Sequence, residues 1–201
     1  TDDYSSQLTI IATSSDSVSG LHSTPYWFKE TSGNSGSSSS TDWQASASFI
    51  DSGLSPNVQY TYQVKARNTA GNESSYSIAS STYTLANIPS SLAVSSDSTS
   101  QLTAGWAANS NPSGTYYYAE NTTNSTNSGW ITTTSWASSG LSCGTTYSFR
   151  TKTRNGNETE TAFASSVSQT TGACPITTTG GGGMPSSFYN PPAPPEGGFG
   201  I

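Results

Sequence analysis

Alternating apolar and polar positions mark two segments of this chain as β-strands. In residues 60–67, one face carries Tyr60, Tyr62, Val64 and Ala66, and the other carries Gln63, Lys65 and Arg67. Residues 147–154 repeat the alternation, with Tyr147, Phe149, Thr151 and Thr153 opposite Arg150, Lys152 and Arg154. Because successive side chains of a strand point to opposite faces, each segment has a core face and a basic outer face. The pattern predicts a solvated outer face, with a binding stripe for an acidic partner as the alternative.

Short runs of β-branched and aromatic residues continue along the chain, separated by serine, asparagine and glycine. Apolar residues do not recur at the 3.6-residue spacing of a helix over a useful length. Several short strands in each half of the chain, with turn residues between them, are typical of a β-sandwich. The sequence therefore predicts an all-β protein.

These strands belong to a longer internal repeat. Ser6–Thr9 returns as Ser100–Thr103, Lys65–Asn68 as Lys152–Asn155, and Gly71–Glu73 as Gly156–Glu158. Trp43 matches Trp130, and Phe49 matches Trp136. A period of roughly 90 residues predicts two copies of one domain rather than a solenoid. We expect domains at 1–86 and 87–174, followed by a Gly/Pro-rich tail at 175–201.

The two copies differ in what precedes their shared Ser-Gln-Leu-Thr motif. The second copy has a leader, Ile88–Val94, whereas the first has only Thr1–Ser5 in that place. A similar leader, Met184–Asn190, occurs in the tail after the glycine run 180–183. The sequence thus places a spare copy of the first strand at the far end of the chain.

Composition narrows the class of protein. The net charge of −6 and a pI near 4.4 argue against nucleic-acid binding, which needs a cationic face. Charged residues are only 9% of the chain, but aromatic residues are 11%, which favours a packed β structure over disorder. No segment is apolar enough to span a membrane. Two cysteines and few lysines among abundant Ser, Thr and Asn predict an extracellular or cell-surface protein.

The second half of each copy resembles a fibronectin type III domain. Gly53–Tyr60 and Val64–Asn68 are similar to the E–F corner and F strand of that family, and Leu141 and Tyr147 keep the same spacing. Trp106 matches the family's core tryptophan on strand B. The resemblance covers about residues 1–174 and implies two immunoglobulin-like sandwiches in tandem, each with a tyrosine corner. The resemblance says little about function, because fibronectin type III domains are mostly spacers and binding scaffolds. The tandem resembles those of extracellular prokaryotic surface or filament proteins.

Against this family pattern, the first copy lacks its A strand and has Ala12 in place of the core tryptophan. Its B strand, with Leu8, Ile10 and Ala12, is then an open edge, and proteins usually cover such edges. We expect the tail to dock there in the next molecule, with Met184, Pro185, Phe188 and Tyr189 as the donor residues. A head-to-tail contact that does not close on itself gives a fibre. The partner is then the protein itself.

Two alternatives to strand donation stay open. Gly/Pro-rich ends are usually linkers without a fixed partner. The chain is alternatively a slice of a longer array, in which the tail begins a third domain. The apolar residues of the tail, including Met184, Phe188 and Phe199, are unusual for a pure linker.

The family's sandwich also gives the cysteines a role. Cys143 falls in the E–F turn and Cys174 follows strand G, so the resemblance places both at one pole and implies a disulfide that pins the root of the tail. A metal site or a catalytic thiol is the poorer alternative, because two Cys and one His do not make a zinc site. Four Asn-x-Ser/Thr sequons are candidate glycosylation sites: Asn72, Asn121, Asn124 and Asn157, with Asn72 and Asn157 as equivalent positions.

Catalytic motifs do not emerge from the sequence. Acidic residues are scattered singly, and there is no nucleophile elbow or phosphate loop, so we expect neither an enzyme nor a cofactor. Glu158 and Glu160 are at most a weak calcium site. The leading hypothesis is a structural subunit of an extracellular filament or surface assembly. The alternatives are a spacer or accessory module of a larger adhesin or polysaccharide hydrolase, and a glycan-binding module that uses Trp27, Tyr117 or Trp130.

Overall fold

The computed structural model describes residues 5–34 and 40–176, which form twelve strands. The first five are β1 (Gln7–Ile11), β2 (Leu21–Glu30), β3 (Ser48–Ser52), β4 (Gln59–Asn68) and β5 (Ser80–Tyr83). The other seven are β6 (Ser90–Ser96), β7 (Gln101–Ala107), β8 (Tyr116–Asn121), β9 (Thr126–Ile131), β10 (Ser135–Ser139), β11 (Thr146–Arg154) and β12 (Val167–Thr170). The all-β class expected from the sequence is confirmed.

The strands form two sandwiches of antiparallel sheets. In the first domain, the pair β1–β3 lies against the sheet β2–β4–β5. In the second domain, the sheet β10–β7–β6 lies against the sheet β12–β11–β8–β9. Each strand of the first domain has a counterpart in the second, and the strands without one are β6, which is strand A of its sandwich, and β9. The two domains therefore differ most at the edge that β6 occupies.

Inward-facing residues of the alternating strands build the two cores. In the second domain, Leu102, Ala104, Trp106, Tyr117 and Phe149 are buried together. In the first domain, two smaller clusters around Tyr60 and Phe28 share Ile10 and Phe49 as bridging residues. Burial of this apolar surface is the main term that stabilises each sandwich. Ala12 is buried in the first domain but fills much less space than Trp106 does in the second.

Both tyrosine corners expected from the resemblance are present. The backbone N–H of Ser55 donates to the hydroxyl of Tyr60 at 2.9 Å, and the N–H of Ser142 donates to the hydroxyl of Tyr147 at 2.9 Å. Each bond joins residues five apart and ties the turn before strand F to the strand itself. The repeated spacing of Leu and Tyr in the sequence thus has a direct physical cause.

The outer faces of β4 and β11 are covered by aromatic rings rather than by solvent. Lys152 Nζ lies 5.2 Å from the ring centre of Tyr118 and 4.8 Å from that of Phe163, and it pairs with Glu160. Lys65 is arranged in the same way, and both lysine side chains are only 18% exposed. The prediction of a solvated face is therefore wrong for the two lysines, whereas the Arg150 side chain is 39% exposed. Aromatic faces attract cations, and partial burial strengthens that attraction.

All six Lys and Arg residues of the chain take part in such contacts: Lys29, Lys65, Arg67, Arg150, Lys152 and Arg154. Four of them also form ion pairs with Glu73, Glu120, Glu158 or Glu160. Little positive charge is left for an acidic partner, which counts against the binding-stripe alternative. The cations instead hold the segments after β4 and β11 against the sheets.

Asparagine side chains join the two domains. Asn57 Nδ2 donates to Thr115 Oγ1 at 2.9 Å, and Asn57 Oδ1 accepts from the backbone N–H of Gly156 at 2.9 Å. Asn155 Nδ2 donates to the carbonyl of Thr84 at 3.1 Å, with Asn155 itself only 4% exposed. These hydrogen bonds join the segments before β4 and after β5 to the segments before β8 and after β11, so they constrain both bending and twisting at this joint. The joint sets the two sandwiches end to end.

Gly156 is the most crowded glycine of this joint. A Cβ atom at this position would overlap three atoms of the Tyr83 ring. We expect Gly156→Ala to displace Tyr83 and open the joint, while each sandwich stays folded. Small-angle X-ray scattering should show a broader range of interdomain angles, and hydrogen exchange should rise at residues 82–87 and 155–157.

Gly105→Ala is the matched control for this prediction. A Cβ at Gly105 would meet only one backbone oxygen, at 4.0 Å, on the outer face of β7. This change should leave the scattering profile unaltered and cost less than about 1 kcal/mol. Identical scattering from both variants would contradict the assignment of Gly156 to the joint.

Candidate strand-acceptor groove in the first domain

The outer edge of β1 lacks a strand partner among the described residues. β1 pairs on one side with β3, with Ile10 opposite Phe49. The equivalent strand β7 pairs on one side with β10 and on the other with β6. Leu8, Ile10 and Ala12, the expected acceptor residues, all lie along this region, with Leu8 and Ala12 buried and Ile10 half-buried.

A groove in two parts follows the open edge of β1, between the two sheets of the sandwich. One part, of about 320 Å³, lies between Thr9–Ile11 of β1, Tyr62 of β4, and Ser80 and Thr82 of β5. A second part, of about 180 Å³, lies between Ala12–Ser14, Tyr26, Val64–Ala66 and the segment Ser74–Ser77. We call the two parts together the acceptor groove. Its floor is formed by strands from both sheets.

In the second domain, the chain itself fills the corresponding path. The carbonyl of Asn87 accepts a hydrogen bond from Thr153 Oγ1 at 2.9 Å, so the segment enters beside β11. β6 then runs antiparallel to β7, and Leu92 and Val94 pack against the core cluster. The acceptor groove is therefore the space that a strand A occupies in the sister domain.

The groove is lined mainly by uncharged side chains, with Lys65 as the charged residue of its smaller part. The hydroxyl of Tyr62 donates to the fully buried Asp51 Oδ2 at 2.8 Å. Burial, together with the neighbouring Asp51 carboxylate, raises the pKa of Tyr62 well above its ordinary value. Tyr62 therefore stays neutral and keeps its hydrogen bond at physiological pH. Such a surface suits an uncharged strand.

The expected donor residues Met184, Pro185, Phe188 and Tyr189 lie outside the described residues. The described chain ends at Ile176, which is 92% exposed, two residues beyond Cys174. Cys143 and Cys174 form a disulfide with their Cα atoms 4.9 Å apart, which confirms that prediction. The bond lies at the pole of the second domain that faces away from the joint. It fixes the point from which the tail departs.

The structure changes the set of candidate glycosylation sites. Asn121 is fully buried and its Nδ2 donates to Ser138 Oγ at 3.4 Å, so that prediction is wrong, because a folded core has no room for a glycan. Asn72 and Asn124 are exposed and stay candidates. Asn157 is exposed, but its Nδ2 donates to Thr82 Oγ1 across the joint at 2.9 Å. A glycan at Asn157 would compete with that contact.

The expected equivalence of Asn72 and Asn157 is also wrong. Asn68 Oδ1 accepts from the N–H of Asn72 at 2.9 Å, and Asn155 Oδ1 accepts from the N–H of Thr159 at the same distance. Asn72 therefore corresponds to Thr159. In the turn after β11, Gly156 directly follows Asn155, whereas Gly71 lies three residues after Asn68. The Gly-Asn-Glu match in the sequence is therefore out of register by two residues.

The remaining candidate residues have structural partners. Trp27 and Trp130 stack with basic side chains, and Tyr117 is buried beside Trp106, so none of the three forms an open platform for a sugar. Glu158 and Glu160 pair with Arg154 and Lys152 instead of facing a common ion. In the part of the chain that the structure describes, no three His, Cys, Asp or Glu side chains come together. Nor does a helix long and apolar enough to cross a membrane occur there.

One solved structure of similar architecture supports this description of the fold. The chain is similar to a segment of two fibronectin type III domains from chicken tenascin, with a TM-score of 0.55, 18% identity, and coverage of 85% of this chain and 95% of the other. It also matches the FN1–FN3 domains of chicken CNTN1, with a TM-score of 0.40, 15% identity, and coverage of 74% and 55%. No protein-family model and no curated protein matches the sequence. At this identity, the tenascin likeness shows the fold alone: the chain is a tandem of fibronectin type III-like sandwiches.

Proposed function

We propose that this protein is a structural subunit of an extracellular filament or surface assembly, in which the tail of one molecule supplies strand A to the first domain of the next. The observation that carries this proposal is the acceptor groove. The groove follows the outer edge of β1, along the path that β6 takes in the second domain. This outer edge has no strand partner among the described residues. Main-chain hydrogen bonds along such an edge give affinity, and alternating side chains give specificity.

The tail repeats the local sequence at the bulge that bends β6. In the second domain, the register shifts between Ser90 and Ala93, and Ser91 has a positive φ of 53°. This bulge begins at Ser91, the last residue of Pro89-Ser90-Ser91, and the tail repeats these three residues as Pro185-Ser186-Ser187. Bulges re-aim a strand at a defined position. A segment with the same local sequence is thus suited to the same curved path.

The length of the tail favours a contact between molecules. The ten peptide steps from Cys174 to Met184 span at most about 36 Å. The entrance of the acceptor groove lies at the pole of the first domain that faces away from the joint. To reach it from Cys174 of the same molecule, the tail would have to run past the full lengths of β11 and β2. These strands of nine and ten residues, set end to end, extend about 60 Å. The tail therefore falls short of its own groove but reaches that of a molecule stacked on the disulfide pole.

A second candidate function is a rigid spacer module within a larger surface protein or hydrolase. The asparagine joint, formed by the hydrogen bonds of Asn57 and Asn155, favours the spacer function, because it holds the two domains end to end. In this case the strand on β1 comes from a neighbouring segment of the same polypeptide. The two candidates differ in what residues 184–190 do.

Deletion of residues 184–201 tests the proposal. The full chain should form linear polymers, seen by electron microscopy and by light scattering that rises with concentration, whereas the deleted chain should stay monomeric. A peptide of residues 184–195 should lower hydrogen exchange in β1 and β5 of the deleted chain. It should leave β7 and β12 unchanged, because β6 already covers that edge.

A chain with residues 184–190 in scrambled order is the matched control, since its length, composition and charge are unchanged. It should fail to polymerise, as the deleted chain does. Polymers from the deleted chain, or the lack of any effect of the peptide on β1, would refute strand donation. A full chain that stays monomeric at every concentration would favour the spacer function.

A further inference from the structure

An exposed apolar patch lies on the outer face of the β1–β3 sheet. Ile11 is 70% exposed and Ile50 is 56% exposed. The pair lies on one diagonal of the ladder, because Thr9 is opposite Ile50 and Ile11 is opposite Ser48. The second domain has Gly105 and Ala137 at the corresponding positions. One domain thus carries two isoleucines on a face where its sister carries the two smallest residues.

The register of β6 on β7 shows which tail residue would reach this patch. Ala93 lies opposite Gly105 on the outer face, whereas Leu92 and Val94 point to the core. Alignment of Met184–Asn190 with Ile88–Val94 puts Tyr189 in the place of Ala93. Tyr189 would therefore lie opposite Ile11, and Ile50 lies one strand further across the sheet, on β3. Small residues meet small residues in the second domain, and large apolar residues meet each other in the first.

A second exchange of the same kind occurs on the core face. Ser90 lies opposite Ala107 and Ala93 opposite Gly105, so Leu92, within the bulge, lies across from Trp106. In the first domain, Ala12 replaces the tryptophan and lines the smaller part of the acceptor groove. In the tail, Phe188 replaces the leucine. A smaller acceptor residue is thus matched by a larger donor residue.

We infer that Phe188 and Tyr189 determine the specificity and register of the donated strand, with Phe188 packed over Ala12 and Tyr189 packed on Ile11, on the side of the apolar patch that continues to Ile50. This inference rests on the proposed function and adds the side-chain pairs that make the tail selective for the first domain. The second domain keeps its own β6, whose Leu92 and Ala93 suit Trp106 and Gly105. The second domain therefore rejects the tail by fit as well as by occupancy, and the first domain rejects a strand like β6 by fit.

Disulfide trapping between two full-length variants tests the register. One chain carries Ile11→Cys and the other carries Tyr189→Cys, with the native Cys143–Cys174 bond kept in both. Mild oxidation of the mixed polymer should give a covalent dimer on a non-reducing gel, because directly opposite residues are within disulfide range. Thr9→Cys is the matched control on the same face. A diagonal neighbour lies too far away for efficient bonding, so its dimer yield should be several-fold lower.

The outcomes separate the inference from the proposed function. A higher dimer yield with Thr9→Cys than with Ile11→Cys would overturn the register and leave strand donation standing. If neither cysteine gives a dimer and the chain without residues 184–201 still polymerises, strand donation itself fails.

A compensating exchange tests the core pair independently of cysteine chemistry. Ala12→Trp makes the acceptor like the second domain, and Phe188→Leu makes the donor like Leu92. Each single change should weaken assembly about tenfold, through a clash or a cavity respectively. The double variant should recover to within about threefold of the unchanged chain. Additive losses in the double variant would overturn the pairing of Phe188 with Ala12.

Discussion

We expect Trp106→Ala to lower the unfolding free energy of the second domain by about 3–5 kcal/mol, the range found for removal of a large aromatic side chain from a core. Trp106 is 7% exposed and packs 5.9 Å, between ring centres, from the buried Tyr117. The loss combines the transfer of apolar surface with a cavity that strands on both sides cannot close. Urea denaturation, with hydrogen exchange to assign the transition to β7 and β11, measures it.

Two variants control for the nature of this loss. Trp106→Phe keeps most of the volume, and the indole Nε1–H of Trp106 donates to no described partner, so the cost should fall to about 1–2 kcal/mol. Trp130→Ala removes a tryptophan from the outer face, where it stacks with Tyr118, and should cost about 1–2 kcal/mol. Equal losses from Trp106→Ala and Trp130→Ala would contradict the assignment of Trp106 to the core.

We expect loss of the Cys143–Cys174 disulfide to lower the unfolding free energy of the second domain by about 3–4 kcal/mol. The bond closes a loop over a sequence separation of 31 residues, and an open loop gives the unfolded chain more conformations. The loop contains β11 and β12, so its ends are already held by strand pairing in the folded state. The double variant Cys143→Ser, Cys174→Ser should show the loss in urea denaturation under non-reducing conditions.

The first domain serves as the internal control for this change. It contains no cysteine, and the hydrogen exchange of β2 and β4 should be the same in both proteins. Reduction of the unchanged chain should reproduce the variant's stability. A decrease of less than 1 kcal/mol would show that strand pairing alone holds the root of the tail.

The repeat and the strand alternation were readable from the sequence because they depend on local patterns. Residues 60–67 and 147–154 alternate with period two, and this period decides which side chains enter the core. The tyrosine corners were also predictable, since each spans only five residues. The disulfide followed from the resemblance, because the family's topology places Cys143 and Cys174 at one pole.

Other features joined residues that the sequence keeps apart. The aromatic partners of Lys152 come from three separate segments, Tyr118, Trp130 and Phe163, so no local pattern predicted them. The pairing of Asn57 with Gly156 spans 99 positions. The burial of Asn121 likewise depends on a sheet that only the folded domain forms. A strand with Lys and Arg on one face, at matching positions of both copies, together with the many aromatic residues of the chain, was the one signal that pointed to the stacked cations.

By itself, the sequence determined the class of fold, the number of domains, and the difference between the two copies at their leading edge. Periodicity and repeats encode these features within short stretches, where backbone geometry links neighbouring residues directly. The tertiary structure decided which side chains meet: the stacked cations, the asparagine joint, the acceptor groove and the isoleucine patch beside it. Such contacts depend on how distant strands pair, and a one-residue shift of register would exchange every inward side chain for an outward one.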